Sequence, residues 1–306
     1  MNEKIPNGVW PVMLTPFNAD NSIDFGALDA LVSWYKEKGV NGLFAACQSS
    51  EIYYMTLEER VSLAKACCKS AAGLPVMASG HIAGTRQDQL YELQAMADTG
   101  VCGIVLITNR LDPLSEGDDV WKRNVEFLLD HLPEELPLGL YECPYPFQRA
   151  MSPKLLGWCA ATGRFRFLKD TCGHLPSIEE KLEALAGTDM KLFDANSATL
   201  RQSLKRGAHG YCGVMANFHP DLYVWMTKHY DAAEAEEVSS FFALSSLIEG
   251  CAYPVCAKYK LALDGMPIRL TSRRIHEDAL RPEWKTMVEK LRGSERILRG
   301  RLGMQN

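Results

Sequence analysis

The sequence lacks several features that would assign it to a common functional class. Its 306 residues carry a net charge of -5, so there is no basic surplus of the kind that nucleic-acid-binding domains present. No uninterrupted apolar run approaches membrane-spanning length, and the N-terminal segment MNEKIPNGVW has no apolar signal core. We therefore expect a cytoplasmic protein that binds neither nucleic acid nor membranes.

The ten cysteines also lack the spacing of a metal site or a disulfide framework. They are spread along the chain without CxxC pairs, and no paired histidines or carboxylates accompany them. In a reducing compartment such cysteines are mostly small apolar fillers. The sequence therefore predicts no metal site.

Basic residues gather in two places near the C-terminus. One is Arg273-Arg274 and the other is the segment 290–301, where lysine and arginine alternate with acidic and apolar residues. Such alternation is typical of a solvated helix face, which is the interpretation we adopt for both.

Short apolar segments alternate with segments of helical periodicity over the first 215 residues. The apolar segments are bounded by glycine, proline or polar turns, as buried parallel strands are. Thr56 and Glu59 form a capping box that predicts a helix start. The predicted strands are 8–14, 40–46, 74–79, 101–108, 136–141, 165–172, 191–194 and 210–214.

Eight strand–helix units without an intervening linker predict a (β/α)8 barrel. An open, doubly wound sheet is the alternative, but it normally carries a glycine-rich phosphate loop after the first strand. Here that turn is Thr15-Pro16-Phe17, which has no glycine. From Pro220 onward the pattern is helical only. We therefore predict a barrel over residues 1–219 and a C-terminal helical extension over 220–306.

The sixth predicted strand contains a lysine, Lys169, close to its C-terminal end. Burial disfavours a charged ammonium, and a neutral lysine amine is a nucleophile towards ketones. Lys169 is therefore a candidate Schiff-base lysine. The alternative is that it reaches solvent or pairs with Asp170.

The C-terminal ends of barrel strands, where chemistry takes place in this fold, carry a small set of polar residues. Hydroxyls and backbone N–H groups of the turn after strand two could hold a carboxylate, and a phenol at the end of strand five could relay protons to a lysine adduct. Together with Lys169 these groups suit a 2-oxo acid. The set is Gln48, Ser49, Ser50, Glu51, Asn109, Arg110, Tyr141, Lys169, Tyr211 and Cys212.

Five motifs in order resemble the dihydrodipicolinate synthase / N-acetylneuraminate lyase family. They are Gly8 to Phe17, Gly42 to Arg60 with Cys47-Gln48-Ser49-Ser50-Glu51, Tyr141-Glu142-Cys143-Pro144, Leu168-Lys169-Asp170, and Gly207 to Asn217. The resemblance implies a barrel with a helical extension, Lys169 as the Schiff-base lysine and Tyr141 as the proton relay. It implies Ser49, Ser50, Gln48 and Cys212 as substrate-binding residues. It also implies a homotetramer or homodimer that needs no cofactor.

The chain departs from the family pattern in the parts that define the synthases. Gln48 stands where the first threonine of Gly-Thr-Thr-Gly would be, and an amide cannot relay protons as a hydroxyl does. Ser50 replaces a glycine. Asn109-Arg110 stand where the synthases supply a tyrosine to a neighbouring subunit, and Pro146 replaces their arginine. We therefore do not expect a true dihydrodipicolinate synthase.

Several residues of the set have two interpretations. We expect Glu51 to hold the fold through backbone amides, Tyr211 and Cys212 to be wall residues, with the backbone carbonyl of Cys212 facing the lysine, and Arg110 to be solvated rather than to attract an acidic substrate. Glu142 and Tyr145, beside Tyr141, could contact a polar second substrate or could pack the loop.

Three functions follow from these residues. The first is a lyase that forms a Schiff base with pyruvate or a related 2-oxo acid and makes or breaks a carbon–carbon bond reversibly. The second is a dehydratase of 2-oxo-3-deoxy sugar acids that uses the same lysine. The third is a homologue that binds a 2-oxo acid without catalysis.

Overall fold

The computed structural model describes residues 5–304, which form a ring of eight parallel strands surrounded by helices. Neighbouring strands pair in the order β1-β8-β7-β6-β5-β4-β3-β2. The strands are β1 (Gly8–Val9), β2 (Leu43–Ala45), β3 (Val76–Ala78), β4 (Gly103–Ile107), β5 (Leu138–Tyr141), β6 (Phe165–Asp170), β7 (Lys191–Asp194) and β8 (Gly210–Tyr211).

The ring closes between the first and second strands. A parallel bridge joins Val12 to Phe44, and the Phe44 amide donates to the Pro11 carbonyl over 3.0 Å. The predicted (β/α)8 barrel is therefore confirmed over the open, doubly wound sheet. The first strand is shorter than predicted, because Pro11 has no amide hydrogen to donate to a ladder.

Closure also requires glycine where β8 meets β1. A Cβ atom on Gly210 would lie 1.8 Å from the Gly8 carbonyl oxygen. No side chain can be accommodated at that distance, so Gly210 permits the close approach of the two backbones.

Aromatic side chains fill the barrel interior. Phe167 stacks on Phe193 with ring centroids 4.6 Å apart, and Trp10 meets both rings edge-on at 5.8 and 6.1 Å. Phe44 packs against Phe167 from the other side at 6.4 Å. The interior is therefore a packed core, and any cavity must lie above it at the C-terminal ends of the strands.

Eleven α-helices occur within residues 5–304. They are α1 (Phe25–Glu37), α2 (Leu57–Ala71), α3 (Arg86–Ala97), α4 (Asp118–Leu129), α5 (Pro153–Ala161), α6 (Leu175–Leu185), α7 (Leu200–Lys205), α8 (Pro220–His229), α9 (Ala235–Ser245), α10 (Val255–Leu263) and α11 (Pro282–Arg301). The predicted capping box is present, since the Glu59 amide donates to Thr56 Oγ1 and the Thr56 amide to the Glu59 carboxylate.

Helix α8 packs against β1 and β8, in the position of the eighth barrel helix. Our division of the chain at residue 219 stays a prediction, and this packing favours placing the boundary after α8. Within residues 5–304 no single helix is long and apolar enough to span a membrane; the bent pair Ala235–Gly250 with Val255–Leu263 meets the length and composition criteria only jointly.

The helix-face interpretation of the two basic clusters holds for only one of them. The segment 290–301 lies within α11, and most of its basic residues are exposed. Arg273 and Arg274 lie instead in the irregular segment between α10 and α11, so our prediction of a helix face was wrong there.

Candidate active site

Lys169 and Tyr141 are brought together by strand register. They are paired residues on the neighbouring parallel strands β6 and β5, and both side chains are almost fully buried, at 4% and 3% exposure. The Lys169 Nζ atom lies 4.1 Å from the centroid of the Tyr141 ring. Within residues 5–304, no carboxylate lies within ion-pair distance of this amine.

The Tyr141 phenol is oriented by the turn that follows β2. Its hydroxyl donates to Gln48 Oε1 over 3.0 Å, and its ring packs edge-on against Phe44. Burial raises the pKa of this phenol well above its usual range. Gln48 therefore holds the hydroxyl in place as an acceptor, which is what an amide can do in the position of a threonine.

The two serines of the same turn have different surroundings. Ser49 lines the cavity above the strands. Ser50 is fully buried, and its hydroxyl donates to the Met13 carbonyl over 2.7 Å while accepting from the Cys47 amide. The Ser50 hydroxyl thus connects the turn to the first barrel segment, and Ser50 does not line the cavity.

A cavity of about 770 Å³ opens at the C-terminal ends of the strands. Gln48, Ser49, Tyr141 and Lys169 line it. Cys212 is fully buried beneath it, and the next two residues along the chain line the wall instead. Burial raises the pKa of the Cys212 thiol to about 12, with the nearby Lys169 ammonium opposing the shift.

Tyr211, the last residue of β8, belongs to a buried tyrosine pair rather than to the cavity. Its ring stacks on Tyr223 with centroids 3.9 Å apart, and its hydroxyl lies 3.1 Å from Ser197 Oγ. Tyr223 shares the same serine at 2.7 Å. These contacts fix the junction between β8 and α8.

Glu142 and Asp170, the residues after Tyr141 and Lys169, point away from the cavity because side chains alternate along a strand. Both carboxylates bind the buried Lys181 ammonium of α6. Glu142 Oε1 also accepts from the Met151 amide over 2.7 Å. Of the two roles we considered for Glu142, the structure supports loop packing. Burial and the Asp170 charge raise the pKa of Glu142 to about 7.

Glu51 holds the extension against the barrel. Its Oε2 atom accepts from the backbone amides of Arg273 and Arg274 at 2.7 and 3.0 Å, and its Oε1 atom from Lys258 Nζ at 2.9 Å. Glu51 is 1% exposed and adopts a left-handed backbone conformation with φ 65°. This agrees with the expected structural role through backbone amides.

The residues after β4 pack the neighbouring loop instead of entering the cavity. The side-chain amide of Asn109 donates through Nδ2 to the backbone carbonyls of Cys143, Tyr145 and Phe147. The Arg110 guanidinium lies 5.3 Å from the Tyr53 ring centroid, and it is only partly exposed. Tyr145 is 52% exposed and meets Tyr53 edge-on.

Eight cavity-lining residues come from the extension, and the sequence analysis named none of them as a site residue: Glu249, Gly250, Ala252, Tyr253, Arg274, Ile275, Ala279 and Trp284. Burial raises the pKa of Glu249 to about 7, and the Lys169 charge opposes this shift. The basic pair at 273–274 was the only signal in the sequence. Its spacing could not reveal that one arginine faces the cavity.

The structure also defines the state of the metal-binding side chains. None of the ten cysteines forms a disulfide bond within residues 5–304. Among residues 5–304, no group of three or more histidine, cysteine, aspartate or glutamate side chains is arranged to hold a metal ion. The titratable and hydroxyl groups that line the cavity are one amine, one guanidinium, one carboxylate, three phenols and the hydroxyls of Ser49 and Thr171.

The chain is similar in sequence to known proteins of one family. The family model described as "Dihydrodipicolinate synthetase family" matches residues 5–274. A curated 4-hydroxy-tetrahydrodipicolinate synthase of Shewanella sp. strain W3-18-1 is 25% identical over 245 residues, which is 80% of each chain. The corresponding protein of Shewanella baltica strain OS155 is 25% identical over 231 residues, 75% of this chain and 76% of the relative.

Two solved structures share the fold closely. YagE, a prophage protein of the dihydrodipicolinic acid synthase family from E. coli K12 solved with pyruvate, superposes with a TM-score of 0.85 at 20% identity, covering 95% of this chain and 98% of YagE. The chloride-inhibited dihydrodipicolinate synthase of Acinetobacter baumannii, also solved with pyruvate, gives 0.84 at 21% identity, covering 96% and 100%. At these identities the likeness establishes the fold.

Proposed function

The chain belongs to the dihydrodipicolinate synthetase family and is a lyase of the aldolase type, and we propose that it acts through a Schiff base between Lys169 and pyruvate or a related 2-oxo acid. The observation that carries this proposal is the Lys169 amine at the cavity floor, 4.1 Å from the Tyr141 ring and without a carboxylate partner among residues 5–304. The resemblance of the surrounding motifs supports the same assignment.

In the proposed reaction, the Lys169 amine attacks the C2 carbonyl of the 2-oxo acid. Tyr141 transfers the protons that turn the carbinolamine oxygen into leaving water, and an iminium remains. The iminium then accepts the electron pair released when the bond between C3 and C4 breaks, or supplies it as an enamine when that bond forms. An aldehyde is the other product or substrate.

We assign the carboxylate of the 2-oxo acid to the turn that follows β2. Ser49 lines the cavity there and can donate its hydroxyl to a carboxylate oxygen. The Ser50 hydroxyl is committed to Met13, and Gln48 to Tyr141, so we give these two residues supporting roles. A homotetramer or homodimer and a cytoplasmic location remain our predictions.

A second candidate is dehydration of a 2-oxo-3-deoxy sugar acid by the same lysine. The observation that favours it is Glu249, which lines the cavity and has a pKa of about 7, raised by burial. A carboxyl group that is partly protonated near neutral pH can donate a proton to a departing hydroxyl. A panel of sugar acids assayed for pyruvate release against loss of water separates the two reactions.

The proposed Schiff base is tested by incubating the protein with pyruvate and sodium borohydride and mapping the modified peptide. We expect an adduct on Lys169 in the wild type and none in Lys169→Ala, with turnover reduced by at least about 10³-fold. Lys154→Ala, at an exposed lysine of α5, should behave as the wild type. A folded wild type that forms no adduct, with Lys169→Ala binding pyruvate equally well, contradicts the proposal and favours a non-catalytic binding protein.

A further inference from the structure

Two consecutive arginines, Arg273 and Arg274, have opposite environments. The Arg273 guanidinium binds Glu59 at 2.6 and 2.8 Å, donates to the Tyr54 carbonyl and stacks over the Phe17 ring at 4.7 Å. The Arg274 side chain is exposed and has no hydrogen bond or ion pair with any residue between 5 and 304, yet it lines the cavity that contains Lys169. Of the two side chains, only that of Arg273 therefore makes polar contacts that support the fold.

The position of Arg274 is fixed through its backbone. Its amide donates to Glu51 Oε2 over 3.0 Å and to Ser272 Oγ over 3.2 Å. Glu51 directly follows the turn that contains Ser49. The rim of the cavity is thus attached to the turn to which we assign the substrate carboxylate. Arg274 is positioned by its backbone, and its side chain has no hydrogen bond or ion pair within residues 5–304.

Lys169 and Arg274 are the two cationic residues among the described residues that line the cavity. Lys169 is buried at the floor and Arg274 is exposed at the mouth, so the two cations lie at different depths. The volume of about 770 Å³ is far larger than a three-carbon acid occupies. A longer substrate would therefore extend from the amine towards the guanidinium.

Building on the proposed Schiff-base function, we propose that Arg274 binds a second carboxylate, at the end of the substrate away from the 2-oxo group. A guanidinium presents two parallel N–H donors that match a carboxylate, and here they are not engaged elsewhere. Pro146 occupies the position at which the sequence comparison expects the arginine of the synthases, and Arg110 packs on Tyr53 outside the cavity. The extension thus supplies an anion-binding group that the strand ends lack.

This assignment defines the substrate class as a 2-oxo acid with a distal carboxylate, or pyruvate together with an aldehyde that carries one. Glu249 lines the same cavity and opposes the accumulation of negative charge. A singly charged carboxylate is opposed less than a doubly charged phosphate ester. We therefore favour the carboxylate as the group that Arg274 recognises.

The test uses borohydride trapping at Lys169 as a binding measurement that does not depend on turnover. The probes are pyruvate and two matched pairs: 2-oxoglutarate against 2-oxopentanoate, and 2-oxoadipate against 2-oxohexanoate. For at least one pair we expect the diacid to reach half-maximal trapping at a concentration about tenfold lower than its monoacid.

Arg274→Gln should remove that preference while leaving pyruvate trapping unchanged. Arg274→Lys should retain part of it, because the charge remains but the paired donors are lost. Arg269→Gln, at an exposed arginine that does not line the cavity, is the matched control and should trap as the wild type does.

The possible failures are distinct. If the wild type traps pyruvate but prefers neither diacid, or if the preference survives in Arg274→Gln, the role of Arg274 is wrong and the Schiff-base function stands. If the wild type traps no 2-oxo acid at all, the Schiff-base function itself is wrong, and the inference about Arg274 fails with it.

Discussion

Lys169 and Lys181 lie in the same strand–helix unit, and both are buried, at 4% and 3% exposure. Lys181 binds Glu142 and Asp170, the two carboxylates that directly follow Tyr141 and Lys169 in the chain. Lys169 has no such partner within the described residues. The two buried lysines therefore differ in their counter-ions, and the missing counter-ion of Lys169 is what favours it as the proposed Schiff-base lysine.

The other buried lysines follow the pattern of Lys181. Lys258 binds Glu51 at 2.9 Å, and Lys260 binds Glu295 at 3.1 Å. Each of these three buried ammonium groups is held in place by a carboxylate. Lys169 has no such carboxylate among the described residues, which is consistent with the Schiff base that we propose for it.

The two lysines also cooperate through the strands. Side chains alternate along β5 and β6, so Tyr141 and Lys169 face the cavity while Glu142 and Asp170 face α6. By binding both carboxylates, Lys181 holds the two strand ends together directly behind Tyr141 and Lys169. The Thr171 hydroxyl adds to this junction by donating to the Glu142 carbonyl.

The largest effect on stability should come from removing the Lys181 ammonium, which supports the two strand ends. Lys181→Met leaves two carboxylates buried without a cation, and we expect the free energy of unfolding to fall by about 3–5 kcal/mol. Denaturant titration measures it, with Lys228→Met, at an exposed lysine of α8, as a control expected to change little. A loss below about 1 kcal/mol would mean that Lys181 does not support the strand ends.

Substitution of Tyr141 should have the opposite effect, with a large loss of turnover and a small change in stability. Tyr141→Phe removes the hydroxyl that we propose transfers protons, and we expect turnover to fall by about 10²–10⁴-fold. The free energy of unfolding should change by only about 1 kcal/mol, since one hydrogen bond to Gln48 is lost.

The control for this variant is Tyr211→Phe, which removes the hydroxyl of a buried tyrosine at the end of β8 that does not line the cavity. Its turnover should stay close to that of the wild type. Tyr141→Phe turning over at the wild-type rate would show that protons are relayed by another group.

Much of this arrangement is predictable from local patterns. The eight strands follow from apolar segments between turns, and parallel strands in a barrel bring their C-terminal ends together, which is how Lys169 and Tyr141 could be grouped. Because side chains alternate in direction along a strand, the same pattern also predicts that Glu142 and Asp170 point away from the cavity. We treated Glu142 as a possible substrate contact because a sequence does not show where a strand gives way to its loop.

The contribution of the extension could not be predicted in this way. Glu51 and Arg273 are bonded across 222 positions of the chain, and no periodicity encodes a contact at that separation. Arg273 and Arg274 are adjacent residues of the same type, so the sequence does not distinguish their roles. The structure does, because only Arg273 stacks on Phe17 and pairs with Glu59. The same applies to Glu249, whose surroundings are formed by tertiary packing alone.

The carboxylates Glu249 and Glu142 differ in the same way as the two lysines. Glu142 binds the Lys181 ammonium, whereas Glu249, which lines the cavity, has no ammonium at ion-pair distance among residues 5–304. Burial raises its folded-state pKa to about 7 from an ordinary value of 4.5. The native state therefore binds the proton more tightly, and the contribution of Glu249 to stability is present below the ordinary pKa and lost as pH rises through about 7. Glu249→Gln resembles the protonated form, so it should match the wild type at about pH 4 and be more stable by up to about 2 kcal/mol at about pH 8.5. Unfolding titrations at both pH values measure this, with the exposed Glu277→Gln as control. A difference that is the same at both pH values would show that Glu249 titrates as an ordinary surface carboxylate.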